Sequence, residues 1–312
     1  MCGRVAIEVA TPKARAAATL TVAGLVERYA EHAKTNLTNW RLAALHGSYW
    51  VEFMGDKLIE DVQPADIEAY KTERLSGTQR NKTGKRVSPT TVNKEVRRLG
   101  RLYELARKDR ITTYNPTRLV DSLKEPVWRY RYLDDGEEIH LQPFFLPRFW
   151  VLVDFAMRTG LRRGEQFGLL RTDLDFQGEC INLRETKNRR GRVIPMSPAL
   201  KELLLAWLAQ EPASLWVFTS RTGKPFNGNN IRRRFVEVCR KASILNFTWH
   251  DLRHTYASRM VMARCDLTAL KELMGHRDIS MTMRYAHLAP GRLRTTQALL
   301  DARPLPPIPA KK

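Results

Sequence analysis

The chain has 312 residues, more than one typical domain holds and enough for two. Its 53 lysines and arginines outnumber 33 acidic residues, and the net charge of +20 indicates a polyanionic partner such as nucleic acid or an anionic membrane. The hydrophobic fraction of 43% is enough for folded cores and argues against wholesale disorder.

The apolar segments do not favour the membrane alternative. The longest compact apolar run, residues 149–157, is interrupted by Asp154 and is too short to cross a bilayer. Residues 16–26 follow two basic residues, as in a signal peptide, but the start of a helix explains them better. The four cysteines contain no C-x-x-C pair, which is typical of reduced thiols. We therefore expect a cytoplasmic protein without a membrane partner.

The first part of the chain predicts an all-helical domain over residues 21–112, preceded by a tail of residues 1–20. Apolar residues recur at helical spacing, and no strand pattern precedes residue 125. The predicted helices start at Thr21, near residue 37, at Pro64 and at Ser88-Pro89. Pro116 and Pro126 indicate a linker over residues 113–131.

The helix that begins at Ser88-Pro89 carries a dense block of positive charge. Between Arg80 and Arg110 there are eleven basic and three acidic residues. An ordinary solvated helix face is the common explanation of such a run, but the density of one sign favours a helix that faces DNA. The residues predicted to contact DNA here are Lys94, Arg97, Arg98 and Arg101.

The second domain, residues 132–290, predicts a mainly helical fold with one small antiparallel sheet. A buried helix is predicted over 146–158, and it ends at Thr159-Gly160. Strands are predicted over 179–184 and 192–196, joined into a hairpin by a basic turn. Further helices are predicted over 200–209, 231–238, 251–262 and 267–274.

Histidines cluster near the end of this domain. Four of the seven lie within the 38 positions of residues 250–287. His250 and Arg253 are three residues apart and therefore share a face of a predicted helix. His276 directly follows a glycine that is expected to stop a helix, and Tyr285 comes nine residues later.

Together with residues upstream, these side chains predict a site for phosphoryl transfer. Guanidinium groups bind phosphate oxygens as rigid forks that stay protonated. Charged donors aimed at developing charge contribute most to such catalysis. A tyrosine nucleophile needs a base or a cationic pocket, and the leaving oxygen needs a proton. We expect neither a metal ion nor a cofactor. The candidate set is Arg162, Lys187, His250, Arg253, His276 and Tyr285.

Four short strings connect this set to a known family. They are T-G-L-R-R-G-E at 159–165, H-D-L-R-H-T-Y-A at 250–257, L-M-G-H at 273–276 and M-R-Y-A-H-L at 283–288. In this order and spacing the strings resemble the tyrosine recombinases, also called phage integrases. The resemblance covers about residues 145–290 by motif and about 20–110 by layout.

The resemblance implies a role for each matching residue. Arg162 and Arg253 match the two catalytic arginines, and His250 matches the general base or proton relay. His276 matches the histidine that contacts the phosphate. Tyr285 matches the nucleophile that forms a 3′-phosphotyrosine.

Two further matches concern the hairpin and the helix start. Lys187 matches the hairpin lysine, the expected general acid, and Glu165 matches an acidic residue that steadies the site. Arg192 and two predicted DNA contacts, Arg189 and Arg190, surround Lys187, so the register of this lysine stays open. Glu165 has an ordinary alternative as a helix-start carboxylate.

Other assignments near the motifs also have alternatives. Only the family pattern selects Arg162 over Arg163. Tyr256 is the rival nucleophile, although its place among apolar residues favours packing. His254 and His287 are expected to be supporting or exposed.

The resemblance implies a two-domain clamp around duplex DNA, with a SAM-like core-binding domain and a catalytic domain. Four protomers on two DNA sites would exchange strands through a Holliday junction, with an accessory DNA-bending or directionality protein as an expected partner. Residues 291–312 are expected to dock on a neighbouring protomer. The roughly twenty residues before Thr21 are too few for the arm-binding domain of many phage integrases.

Three alternatives remain at this point. A type IB topoisomerase-like enzyme shares the chemistry. A DNA-binding regulator without catalysis would share the fold, but the complete set of catalytic residue types argues against it. A basic RNA-binding or structural protein would make the ordered strings a coincidence.

Overall fold

The computed structural model describes residues 20–76, 87–126, 131–184, 191–220 and 222–289. The chain divides into two compact units, Met1–Trp128 and Arg129–Lys312. This boundary falls within residues 113–131. The functions assigned to the two halves stay predictions.

Five α-helices lie in the described part of unit 1. They are α1 (Val22–Arg28), α2 (Ala30–Asn36), α3 (Trp40–Met54), α4 (Pro64–Ser76) and α5 (Pro89–Lys108), followed by a 3₁₀ turn at Pro116–Leu119. Thr21 and Ser88 cap α1 and α5, since each side-chain oxygen accepts a hydrogen bond from a first-turn amide. The helical pattern that starts at Thr21 is interrupted at Tyr29, so it forms two short helices.

A buried ion pair organises the core of unit 1. Glu95 is fully buried and accepts two hydrogen bonds from Arg74, at 2.9 and 2.7 Å. The Tyr70 hydroxyl donates to the same carboxylate at 2.8 Å, and the Tyr70 ring stacks on Trp50 at 3.7 Å. Because both charges are satisfied inside the core, removing either partner would leave an unpaired buried charge.

The two faces of α5 differ in character. Val92, Leu99 and Tyr103 are buried against the core. The four predicted DNA contacts are spaced i, i+3, i+4 and i+7, so they form one stripe on the helix surface. Three members of this basic stripe are exposed and one is partly buried: Lys94, Arg97, Arg98 and Arg101.

Unit 2 is mainly helical. Its described α-helices are α6 (Asp135–Leu141), α7 (Pro147–Thr159), α8 (Arg163–Gln166), α9 (Pro198–Gln210), α10 (Gly228–Lys241), α11 (Trp249–Met262), α12 (Leu267–Met274) and α13 (Ser280–Met283). Short 3₁₀ turns lie at Gln142–Phe144, Arg171–Asp173 and Ala286–Leu288.

The sheet of unit 2 has three antiparallel strands in the order β1 (Leu174–Asp175), β2 (Cys180–Leu183) and β3 (Arg192–Pro195). Ile181 lies opposite Ile194, and both are buried. The two-residue strand β1 was not predicted, since it is too short to show an alternating pattern. The turn between β2 and β3 lies outside the described residues.

Helix α11 lies in the middle of unit 2. Every residue from Asp251 to Ser258 is buried, including five polar ones. Asp251 caps the first turn of the helix, since its carboxylate accepts hydrogen bonds from the amide and hydroxyl of Thr248. The Thr255 hydroxyl donates a hydrogen bond to the Asp251 carbonyl and accepts one from the Leu133 amide. A buried helix of this kind delivers its remaining polar side chains to the interior of the unit, where the site lies.

No helix in the described part of the chain is long and apolar enough to cross a lipid bilayer.

Candidate active site

The carboxyl end of α12 binds three arginines from three different elements. Arg192 on β3 donates to the carbonyl of Leu273 at 2.9 Å. Arg253 on α11 donates to the next carbonyl, that of Met274. Arg162, just before α8, donates to the Gly275 carbonyl at 2.8 Å. The last carbonyls of a helix carry partial negative charge and lack helical partners, so they suit cations.

Arg253 is the most deeply placed of the three arginines. It is 3% exposed, and it also donates to the Gly160 carbonyl at 2.6 Å. Gly160 ends α7 in the left-handed conformation, with φ of 61°. Burial, then the charge of Arg162, lowers the pKa of Arg253 to about 9. The guanidinium therefore remains charged at neutral pH, and two main-chain carbonyls fix its orientation.

Glu165 joins the other two arginines. Its carboxylate accepts hydrogen bonds from the Arg162 side chain at 2.9 Å and from Arg192 at 2.8 Å, and it also accepts from the Arg162 amide. Burial alone would raise the pKa of Glu165, but the hydrogen bonds and charges of the arginines outweigh it and lower the pKa to about 2. One carboxylate therefore faces a cluster of three guanidinium groups, and the site keeps an excess of positive charge.

His276 follows the glycine that ends α12. Its Nδ1 lies 2.8 Å from the hydroxyl oxygen of the buried Thr282 on α13. Burial, followed by the charges of Arg253 and other arginines, lowers the pKa of His276 to about 4. The Tyr285 amide donates to the Thr282 carbonyl at 3.0 Å. Thr282 therefore links His276 to the segment that carries Tyr285.

Tyr285 and two histidines of α11 form the other side of the site. The Tyr285 hydroxyl lies 2.5 Å from Nδ1 of His254, and Tyr285 is only 2% exposed. The rings of His254 and His250 pack edge to face, with their centroids 4.8 Å apart. Desolvation, then the Arg253 charge, lowers the pKa of His250. His254 itself is 8% exposed.

No group of three or more histidine, cysteine, aspartate or glutamate side chains in the described ranges is arranged to hold a metal ion. Within these ranges, arginines supply the positive charge next to Tyr285 and His276.

Comparison with known proteins identifies the family. Residues 148–292 match the family model described as the phage integrase family. The tyrosine recombinase XerC of Bacillus licheniformis is 27% identical over 264 residues, which cover 79% of this chain and 84% of that protein. The integrase of Escherichia phage 186 is 28% identical, with 81% of this chain and 72% of the phage protein covered.

Residues 148–292 are a domain of the phage integrase, or tyrosine recombinase, family.

Solved structures of recombinases share its fold. The Tn1549 transposon integrase, in complex with a circular intermediate DNA, superposes with a TM-score of 0.76 at 21% identity, covering 90% of this chain and 99% of that chain. A lambda integrase tetramer bound to a Holliday junction gives a TM-score of 0.72 at 17% identity, covering 90% and 84%. The predicted fold class, mainly helical with a small antiparallel sheet, is confirmed.

The structure brings most of the predicted recombinase residues together. Arg162, Glu165, Arg253, His276 and Tyr285 are linked by the contacts described above, and His250 adjoins them through His254. Three predicted residues lie outside the described residues, so their placement stays a prediction: Lys187, Arg189 and Arg190.

Other neighbours of the motifs are placed as follows. Tyr256 is buried and packs beside Gly160, where an added Cβ would lie 2.3 Å from the Tyr256 ring. Arg163 donates to the side-chain oxygen of Asn229 at 3.2 Å. His287 is exposed, whereas His254 is buried and contacts Tyr285.

Sequence reasoning did not identify the contact of Arg192 with Glu165, the contact of His254 with Tyr285, or the exposed Arg232–Arg234 run on α10. Arg192 entered only as a neighbour of Lys187, because nothing local shows that a strand residue reaches Glu165. The signal for His254 was present in its position next to Arg253. The arginine run on α10 is a basic patch of the same kind as the stripe on α5.

Proposed function

We propose that this chain is a site-specific DNA recombinase in which Tyr285 attacks a DNA phosphate. The observation that carries the proposal is the convergence of Arg162 and Arg253 on successive carbonyls at the end of α12, directly before His276. Two fixed guanidinium groups beside an imidazole suit a phosphodiester, whose non-bridging oxygens gain negative charge during the reaction.

The reaction balances without an external energy source. The Tyr285 oxygen forms a bond to phosphorus, and the bond from phosphorus to the 5′ oxygen breaks. The phenolic proton leaves to a base, the role expected of His250, and the 5′ oxygen takes a proton from Lys187, the expected general acid. Attack by a 5′ hydroxyl of the partner strand reverses these steps and releases the tyrosine.

The two arginines and His276 each contribute differently to binding the phosphate. Arg162, with a 23% exposed side chain, is the more accessible arginine, while Arg253 holds a fixed charge beneath it. His276 is neutral at pH 7 because its pKa is low, so it can donate a hydrogen bond to a phosphate oxygen without adding charge. Glu165 keeps Arg162 in place.

DNA binding and assembly extend the proposal to the whole chain. The basic stripe on α5, together with Arg189 and Arg190, supplies contacts to the DNA backbone. Four protomers on two DNA sites pass through a Holliday junction, helped by an accessory DNA-bending or directionality protein. The segment 291–312 docks on a neighbouring protomer in this proposal. It lies outside the described residues.

The decisive experiment changes Tyr285 to Phe, which removes one oxygen and keeps the ring. On nicked duplexes taken from the DNA beside its own gene, the wild-type chain should trap a covalent protein–DNA adduct that withstands denaturant and leaves a free 5′ hydroxyl. The adduct should form in the presence of a chelator. Tyr285→Phe should bind the same DNA and form no adduct.

Tyr256→Phe is the matched control, since Tyr256 is another buried tyrosine of the same unit. It should still form the adduct. Adduct formation by Tyr285→Phe would place the nucleophile elsewhere. If the wild type forms no adduct on any duplex that it binds specifically, the chain acts as a DNA-binding regulator. Relaxation of supercoiled DNA without site-specific joining would identify a topoisomerase-like enzyme instead.

A further inference from the structure

The Tyr285 hydroxyl has a protein partner that the family pattern did not assign. Tyr285 is 2% exposed, and its hydroxyl lies 2.5 Å from Nδ1 of His254. A buried hydroxyl is nearly always hydrogen-bonded, because an unsatisfied one has given up its hydrogen bonds to water without replacement. With so little water in reach, a side chain of the protein directs this hydroxyl before any DNA arrives.

The charge state and the tautomer of His254 together decide the direction of the hydrogen bond. Burial, then the neighbouring charges of His250 and Arg253, lowers the pKa of His254 to about 3. The imidazole is therefore neutral at physiological pH. In the neutral tautomer that carries its proton on Nε2, Nδ1 is an acceptor and receives the hydrogen of the Tyr285 hydroxyl.

The position of His254 on α11 makes this bond relevant to catalysis. His254 directly follows Arg253, whose guanidinium is fixed by the carbonyls of Gly160 and Met274. The same buried helix therefore holds one arginine of the site and the partner of the nucleophile. A change in α11 would move both together.

From this geometry we infer that His254 is a positioning residue for the nucleophile. With its proton on Nε2, the imidazole accepts the phenolic hydrogen of Tyr285 at Nδ1 and so fixes the direction of the hydroxyl. The inference rests on the proposed role of Tyr285. His250 contacts the His254 ring at 4.8 Å, so a candidate base lies next to the hydrogen bond when the proton leaves.

Two substitutions separate the hydrogen bond from the space that the ring fills. His254→Leu keeps most of the volume and removes the acceptor. His254→Asn places a side-chain oxygen near the position of Nδ1 and keeps an acceptor. His287→Leu is the matched control, because His287 is exposed and lies only two residues after Tyr285.

The measurement is the single-turnover rate of covalent adduct formation on the nicked duplex, with DNA affinity measured in parallel. His254→Leu should slow adduct formation about 100-fold, the loss expected when a reacting group is misplaced by about 1 Å. His254→Asn should stay within about tenfold of the wild type, since one acceptor replaces another. DNA affinity should be unchanged in both variants, and His287→Leu should behave as the wild type.

Several outcomes would overturn the inference. A wild-type or faster rate for His254→Leu would show that the hydrogen bond restrains the tyrosine or has no effect. An equal loss in His254→Asn and His254→Leu would show that the acceptor is not what matters. If His254→Leu does not fold, His254→Met fills the space without a nitrogen and takes its place. Adduct formation by Tyr285→Phe would instead reject the proposed nucleophile, whatever the His254 variants do.

Discussion

Gly275 meets two structural demands at one position. Its φ of 59° lies in the left-handed region, which glycine adopts without strain. A Cβ at this position would lie 2.7 Å from Nη1 of Arg192, closer than real Cβ contacts allow. The glycine therefore ends α12 and also makes room for the guanidinium that holds Glu165.

Gly275→Ala should consequently damage both stability and activity. We expect a loss of about 1–3 kcal/mol in the free energy of unfolding from backbone strain, and a further loss from the displaced Arg192. Urea denaturation measures the first effect, and the rate of adduct formation measures the second.

Gly223→Ala is the matched control for this prediction. Gly223 has φ of 73°, but its Cβ would meet nothing within 4 Å. It should therefore show the strain without the loss of cleavage rate. Equal effects of the two substitutions on the cleavage rate would mean that the contact with Arg192 has no part in the site.

The residues of the site differed in how well the sequence revealed them. Arg162, Arg253, His276 and Tyr285 stand in strings whose order is diagnostic of the family, so they could be named in advance. Arg192 could not, because its partner Glu165 is 27 positions away in the chain and the contact depends on how β3 meets α12. Local patterns report neighbours in sequence, and this contact exists only in the folded unit.

At the scale of elements, α5 combines a structural face with the basic stripe. Its apolar face packs on the core of unit 1, while Arg97 has a 65% exposed side chain that approaches Glu125 only to 3.7 Å. A surface ion pair at such a distance contributes little. Most of the stripe's charge therefore stays available for a polyanion.

Replacing Arg97, Arg98 and Arg101 by alanine should weaken the salt dependence of DNA binding. Each lost phosphate contact lowers the slope of log affinity against log salt by about 0.9, so the triple variant should lose about 2–3. Fluorescence anisotropy over a range of salt concentrations measures the slope. Arg107→Ala is the control on the same helix, because Arg107 already pairs with Glu104 at 3.0 Å. An unchanged slope in the triple variant would show that the stripe does not face the DNA backbone.

Sequence patterns predicted long elements well and short ones poorly. The amphipathic helix α5 and the buried helix α7 were found because each shows several turns of apolar spacing or an uninterrupted apolar run. Helices α8 and α13 have four residues each, and β1 has two. Such elements are held by tertiary contacts, and they have too few residues for a period to appear.

At the scale of the whole molecule, the stretch after α5 belongs to unit 1. Asn115 donates to Glu104 at 2.6 Å, Lys71 donates to the Asp121 carbonyl at 2.6 Å, and Asn93 bonds Leu123. These contacts hold residues 115–123 against α4 and α5. Most of the predicted linker 113–131 is thus attached to one unit, and the unit boundary lies near its end.

Limited trypsin digestion without DNA should therefore cut after Arg129 and leave two folded fragments, because the boundary between the units lies between Trp128 and Arg129. Mass spectrometry identifies the cut. Arg118 serves as an internal comparison, since it pairs with Glu104 at 3.0 Å and should be cut later. A single resistant fragment that spans both units would contradict the division.

The arginine cluster is attached to main-chain oxygen atoms, and this has a consequence for how such an enzyme can diverge. A side-chain acceptor can be lost by one substitution, whereas the carbonyls of residues 273, 274 and 275 are present whatever amino acids stand there. The outer surface of α12 can therefore change over evolutionary time while the three guanidinium groups keep their anchors. The exposed residues of α12 can therefore be substituted without removing the carbonyls that hold the arginines. Gly275 is the exception, because a side chain at this position would contact Arg192.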